Sequence, residues 1–234
     1  MAADGAAEVD LSGTTLVTYV SVPDTAAAFR FRNADGTLSS KIIGGSFSDF
    51  DAGRLLRIRY DTPSFNGFSL AASYGEQVLA ENVDFTSAGV ALRYAGEFGD
   101  IKMKGAIGYS QTDLSAGGDV DSSIASFSML HASGFNVTVA SGKRNTSGSY
   151  YYGKLGYQGD WVNVGKTAVT IDYYRGKDHS SDGSKSTSYS LGLVQKFDDA
   201  NIESYLGLTK YKLTETSASY LDASSVMFGM RWKY

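Results

Sequence analysis

From Arg54 to the end of the chain, apolar and polar side chains alternate with a period of two in about eleven segments, each near the ~9–11 residues needed to cross a bilayer as a tilted strand. In Arg54–Thr62, Leu56, Ile58 and Tyr60 share one face and Arg57, Arg59 and Asp61 the other, because strand side chains point alternately to opposite sides. Phe68, Leu70, Ala72 and Tyr74 then oppose Ser69, Ala71 and Ser73, and Val90, Leu92 and Tyr94 oppose Gly89, Ala91 and Arg93. Ile101, Met103, Ile107 and Tyr109 oppose Lys102, Lys104, Ala106 and Ser110. Ala125–Leu130 carries no clear phase, but alternation resumes at Phe135, Val137 and Val139 and continues through Leu155, Ile171 and Leu191. Leu206 and Leu208 are placed on the greasy face of Asn201–Leu213. The last segment sets Val226, Phe228, Met230, Trp232 and Tyr234 against Met227, Gly229, Arg231 and Lys233.

Such alternation also describes a soluble sandwich, so the connections matter. Short links at Pro63–Asn66, Glu97–Gly99, Ala132–Ser133, Gly159–Lys166 and Asp198–Ala200 take turns with longer polar ones at Gly75–Phe85, Thr112–Val120, Gly142–Gly148, Gly176–Lys185 and Thr214–Ala223. In an up-and-down barrel every second connection lies on the same rim, and outer-membrane barrels have short periplasmic turns and longer external loops. Tyr60, Tyr74, Tyr94, Tyr109, Tyr157, Tyr173, Phe197, Trp232 and Tyr234 sit near segment ends, where amphipathic rings meet the lipid headgroups. Because hydrocarbon offers backbone groups no partner, a spanning sheet must close. Eleven segments cannot close with both ends on one rim, so Glu8–Val20 is expected to supply another strand, about twelve in all. The predicted class is thus all-β: a transmembrane antiparallel up-and-down barrel.

Composition agrees. Gly 27, Tyr 16 and Phe 12 with only Pro 2 suit many strands joined by flexible turns. Lys+Arg 21 against Asp+Glu 25 is too balanced for a nucleic-acid partner. Cys 0 excludes a disulfide framework or thiolate metal site. Met1–Asp10 does not read as a secretory signal. No stretch nears ~20 apolar residues, so membrane residence requires strands.

The stretch Arg57–Tyr74, R-I-R-Y-D-T-P-S-F-N-G-F-S-L-A-A-S-Y, resembles the strand, periplasmic turn and strand that follow the constriction loop of general Gram-negative porins. Gly165–Tyr174 and the C-terminal M-R-W-K-Y resemble the same family, and the likeness runs from about Glu8 to Tyr234. Members have about sixteen strands, with a long loop folded into the lumen after the fifth. The resemblance therefore implies a single barrel domain over 1–234, in which about 10–53 is a terminal strand piece plus the inward-folded constriction loop and 54–234 supplies about eleven spanning strands, the family's first strands being absent. It implies the bacterial outer membrane as location, with lipid and lipopolysaccharide outside and small hydrophilic solutes and ions inside. It also implies a homotrimer, held largely by the early strands and the last one, an interface that missing early strands would weaken.

The inner list is mostly basic: Arg57, Arg59, Arg93, Lys102, Lys104, Lys154, Arg231 and Lys233, against Asp61, Asp172 and Glu203. Asp24, Asp35, Asp49 and Asp51 of the inward loop are expected to face part of this wall and set a transverse field, with Arg57 and Arg59 weighing most. Small inner residues such as Ser69, Ala71, Gly89, Ala91, Ala106 and Gly108 favour an open lumen. The expected function is a passive diffusion pore for small hydrophilic solutes whose selectivity is set by lumen charges. The alternative is a barrel plugged by Asp10–Gly53 that binds a partner through its external loops. No enzyme is expected: His131 and His179 fall at opposite rims as surface histidines, and no serine, histidine and acid converge. No cofactor is expected, and loop acids such as Glu76, Glu81, Asp84, Asp113, Asp119, Asp178 and Asp182 lack compact metal-ligand spacing. Asn145-Thr146-Ser147 reads as plain loop.

Overall fold

The computed structural model describes residues 9–51, 54–78, 81, 83–114, 117–146 and 148–234. Glu8, Gly53 and Ser147, which enter the expectations above, lie outside the described residues, as do parts of the long connections around 79–82 and 115–116.

Eleven strands form one antiparallel sheet: β3 (Leu56–Asp61), β4 (Phe68–Glu76), β5 (Phe85–Phe98), β6 (Ile101–Leu114), β7 (Asp119–His131), β8 (Phe135–Arg144), β9 (Ser149–Val162), β10 (Gly165–Lys177), β11 (Lys185–Phe197), β12 (Ile202–Thr214) and β14 (Ala223–Trp232). Each pairs with its neighbour in sequence, which is the up-and-down arrangement of a porin-type barrel wall. The strands reach further into the connections than the alternation alone indicates. Connection residues such as Asp113, Asp119 and Lys177 still sit in register on the ladder. The short turns use left-handed backbone at Asn66, Gly67, Gly99, Gly134 and Asn201, which tight reversal requires. Strands β3 and β14 form the margins of the sheet; among the described residues they do not pair with each other.

Before the sheet come a 3-10 turn (Val22–Thr25), a hairpin of β1 (Arg30–Asn33) and β2 (Leu38–Ile42), and one helical turn, Ile43–Ser46. The hairpin pairs with a short β13 (Tyr220–Leu221) that lies in the last long connection. Among the described residues, the twelfth strand expected from Glu8–Val20 is not formed. Residues 9–20 instead fold into turns whose polar groups bond to wall side chains: the Leu11 N–H donates to Ser128 Oγ at 3.0 Å, and Thr14 Oγ1 lies 2.8 Å from Thr170 Oγ1. A segment satisfied in this way has no free ladder to offer a neighbouring strand.

The two faces of the sheet separate as the alternation requires. Outward stand Leu56, Ile58 (81% exposed), Val90, Leu92, Ile107, Leu155, Ile171, Leu191, Leu208 and Phe228. Tyr60, Tyr74, Tyr109, Tyr173, Trp232 and Tyr234 are exposed near strand ends, and Phe68–Tyr94 and Phe135–Tyr157 pack ring to ring at 4.8 and 4.9 Å. So wide an exposed apolar surface on an antiparallel sheet is stable only against lipid. In the ambiguous β7, Ile124 turns inward and Phe127 outward.

Candidate functional site: the inner wall and the segment against it

Residues 9–51 lie against the inner face of β7 to β12, and the wall is shaped to receive them. Gly192 and Gly207 leave the room: a Cβ at either would approach Thr18 or Val17 within 2.7–2.8 Å. Above them Phe31, Phe47 and Phe50 from the segment pack with Tyr150, Tyr152, Tyr174 and Tyr211 from the wall into a small dry core. Hydrogen bonds fix its edges. Tyr211 Oη donates to the Val22 carbonyl at 3.0 Å, Tyr174 Oη to the Ser48 carbonyl at 2.6 Å, and Ser186 Oγ to the Ser46 carbonyl.

At the other end Lys154, 1% exposed, reaches from β9 to Asp10 Oδ2 at 2.5 Å and also donates to Ser12 Oγ at 3.1 Å. Part of the mostly basic inner list is therefore paired. Lys154 is neutralised by Asp10, and Arg231 and Lys233 are held by Glu203 at 2.5 and 2.6 Å near the short-turn rim. The expected acid Asp172 takes a hydrogen bond from Tyr152 Oη at 3.1 Å.

Further round the inner wall, β3 to β6 carry the small residues Ala71, Ala91 and Ala106, all three buried. Here Arg59 forks onto Asp61 at 2.7 and 2.8 Å, Arg93 reaches the same carboxylate at 3.4 Å, and Arg57 donates to Ser73 Oγ at 2.9 Å. Arg59 and Arg93 thus share the Asp61 carboxylate, with Arg57 beside them on the same inner face. Lys104 is half-buried further down β6, while Lys102 lies at the rim and pairs with Glu97 at 3.1 Å.

Of the loop acids, Asp24, Asp49 and Asp51 lie near one another. Burial, with the charges of Asp51 and Asp24, pushes the Asp49 carboxyl up to about 6. Asp24 also accepts hydrogen bonds from Tyr19 Oη and from Ser21 Oγ, the latter at 3.1 Å. Asp35 stands apart at the exposed tip of the β1–β2 hairpin, holding Thr37, whose hydrogen bonds keep its carboxyl below the usual range. The sequence thus located the arginine patch, but it could not separate Asp35 from the other three acids or show Lys102 in a rim pair. It also missed Glu215, which gathers Lys41 (2.8 Å), Ser180 (2.6 Å) and Tyr220 (3.0 Å) and ties the hairpin to two long connections.

His131 is exposed at a short turn. His179 is not the surface histidine expected: it packs on Phe50 at 5.4 Å, its Nε2 lies 3.0 Å from Tyr174 Oη, and burial beside Arg144 lowers its pKa to about 4. Among the described residues no group of three potential metal ligands forms, and no helix is long and apolar enough to cross a membrane.

A family model described as Gram-negative porin matches residues 3–216. Among solved structures, an anion-selective porin from Comamonas acidovorans is similar with a TM-score of 0.50 at 17% identity, covering 95% of this chain and 69% of that one. OmpT of Vibrio cholerae aligns with a TM-score of 0.49 at 15% identity over 74% of this chain, and a BenF-like porin from Pseudomonas fluorescens with 0.48 at 9% over 70%. The chain spans 62% of the length of the OmpT structure and 54% of the BenF-like one. No curated protein sequence matches.

Proposed function

The chain belongs to the Gram-negative porin family and resides in the bacterial outer membrane, and from that premise we propose that it is a passive pore for small hydrophilic solutes and ions. The observation that carries this reading is the contrast between the two halves of the inner wall. The face of β9 to β12 is filled by tyrosines against the N-terminal segment, whereas β4 to β6 present alanine, glycine and serine beside the arginine patch. A wall of small residues leaves room for water, and charges on it set ion preference.

In this reading 1–234 is one barrel domain, 10–53 is the constriction loop, and the path runs between that loop and β3 to β6. Arg57, Arg59 and Arg93 line one side, with Lys104 and Lys102 leading toward the short-turn rim; Asp24, Asp49 and Asp51 line the other, and Asp35 sits beyond the narrowest point. The charges on these two sides of the path set its ion preference. Transport needs no turnover chemistry, and the two histidines at opposite rims offer none. The outside of the barrel contacts lipid, with lipopolysaccharide on the rim of the long connections, and a trimer would use the margins of the sheet.

Replacing Arg57 and Arg59 together by glutamine should move the reversal potential in planar bilayers under a salt gradient toward cation preference. An unchanged reversal potential in a conducting double variant removes these residues from the selectivity role. The dry aromatic core also favours a second reading, a plugged barrel that binds a partner through its external loops. Stepwise single-channel conductance supports the pore, and silence after verified insertion supports the plug.

A further inference from the structure

The small sheet of β1, β2 and β13 has one face that the fold explains and one that it does not. Phe31 is fully buried in the dry core, with the Tyr220 ring 6.2 Å away and Ser39 buried on the same side. The opposite phase carries Arg30 and Arg32 on β1, Leu38, Ser40 and Ile42 on β2, and Leu221 on β13, and all six are exposed. Because the core that holds Phe31 sits on the inner face of the wall, this second face looks away from the wall and across the interior. Lipid accounts for the aliphatic side chains on the outside of the wall, but not for Leu38 and Leu221, which are 62% and 46% exposed.

The register interleaves two chemistries on that face. Arg32 is directly opposite Leu38 on one side and Leu221 on the other, and Arg30 is opposite Ile42. Opposed side chains on a ladder have Cβ atoms ~4.5–5.5 Å apart, so each arginine stands against an aliphatic neighbour. Among the described residues neither arginine has an acid. Arg30 Nη1 donates to the Ser39 carbonyl at 3.3 Å and Arg32 Nη1 to the Gly36 carbonyl at 2.7 Å, which steadies each guanidinium and leaves most of its fork unused. The carboxylates of the hairpin and of the connection beside it are committed elsewhere: Asp35 to Thr37 at 2.6 and 2.9 Å, Glu215 to Lys41 at 2.8 Å, and Asp222 to Lys210 at 2.9 Å.

We propose that this face is an entry site for organic anions with an apolar body, such as a monocarboxylate on a short alkyl chain. The carboxylate takes the forks of Arg30 and Arg32 in charge-assisted hydrogen bonds, roughly twice as strong as neutral ones. The alkyl body lies along Leu38, Ile42 and Leu221. Arg30 and Arg32 are two positions apart on one strand, ~6.7 Å, so one carboxylate can be passed between them. Three strands at ~4.8 Å spacing make a platform about 10 Å across, enough for an alkyl chain of about six carbons. An open, shallow face binds weakly, as conduction requires of a solute that must leave again. The inference rests on the pore reading for its role in uptake and names a class of solute; the binding itself needs no conduction.

The test places the full chain in lipid nanodiscs, with empty nanodiscs as the blank, and measures the affinities of hexanoate, acetate and hexylammonium by saturation-transfer NMR. A fully buried methylene is worth about fourfold in binding, so hexanoate, half-covered on an open face, should bind roughly tenfold tighter than acetate. Arg30→Gln with Arg32→Gln should weaken hexanoate at least tenfold and erase its advantage over hexylammonium. Leu38→Ser with Leu221→Ser should bring hexanoate down toward acetate, and Arg57→Gln with Arg59→Gln should leave hexanoate binding unchanged. A heat-dependent gel shift confirms that every variant is folded. Hexylammonium or acetate binding as tightly as hexanoate would overturn the assignment. So would an unchanged affinity in the Arg30/Arg32 or the Leu38/Leu221 variant, or equal weakening in the Arg57/Arg59 variant. Single-channel recording separates the two readings: a silent channel that still prefers hexanoate sinks only the pore, and a conducting one without that preference sinks only this site.

Discussion

Removing the Lys154 ammonium is the sharpest perturbation of the docked segment. The side chains of Lys154 and Asp10 are 0% and 2% exposed and meet at 2.5 Å; Lys154 also donates to Ser12 Oγ and the Thr18 carbonyl, and Asp10 accepts from Thr138 Oγ1 and the Ser12 N–H. Lys154→Met keeps the length and apolar stem but leaves the Asp10 carboxylate buried without its cation. Breaking a buried pair from one side costs about 3–5 kcal/mol. The wall strand keeps its backbone ladder, so the loss falls on the docking of residues 9–20 rather than on the sheet. Asp10→Asn added to Lys154→Met removes the stranded charge while keeping an acceptor for Thr138. The double variant should then lose only neutral hydrogen bonds, about 1–2 kcal/mol. The assay is denaturant unfolding in lipid vesicles for all four members of the cycle, with single-channel conductance as the second readout. A released segment widens the path, so Lys154→Met should conduct more than the parent and the double variant less than Lys154→Met. A single-variant cost below about 1 kcal/mol, or coupling within the ~0.5 kcal/mol expected of independent sites, refutes the view that this pair holds the segment in place.

Gly207→Leu places a side chain where a Cβ alone meets Val17 at 2.8 Å; overpacking of this kind costs about 1–3 kcal/mol, and faster protease cleavage within residues 9–20 of the folded protein would register it. Ile171→Arg puts a charge on the outward apolar row and should cost about 2–4 kcal/mol in a bilayer, read as a lower denaturant midpoint; an unchanged midpoint would mean that this row does not face lipid. For His179, burial holds the folded pKa at about 4 against an ordinary 6.5, so its contribution to stability is full above 6.5 and is lost as pH falls from 6.5 to about 4. Asp49, raised to about 6, acts the other way and favours the docked state as pH falls from 6 toward 3.8; Asp49→Asn should therefore leave the segment more acid-labile than the parent, and an NMR midpoint for His179 near 6.5 would contradict its packing on Phe50.

What the sequence revealed and what it concealed follow from one physical difference. The wall is legible because each strand meets two solvents, lipid and water, and a two-sided environment writes itself as alternation at every position. Leu56, Ile58, Arg57 and Arg59 declare their faces without knowledge of any neighbour, and the arginine patch was legible for the same reason. Residues 9–51 meet a single surface through scattered contacts such as Asp10, Thr14, Val17 and Phe50, spaced by the wall they touch and not by a backbone period. That is why Glu8–Val20 read as a strand and why Lys154 counted as a free lumen cation, although its partner lies 144 residues earlier.

The exposed cations at the long-connection ends of β10 and β11 were hidden in a third way. Arg175, Lys177 and Lys185 sit among Gly176, Asp178, Ser180, Ser181, Asp182 and Gly183, a stretch whose composition signals a turn. Only the register, which carries the β10–β11 ladder all the way to Lys177 and Lys185, fixes these side chains to the outward phase. Once that phase is known, their sign becomes informative. A cation in a free loop is solvated wherever it points, but a cation locked above an apolar row is held at one depth in the membrane. The alternation that identifies the wall therefore also sorts its charges into those that face the solute and those that face the lipid.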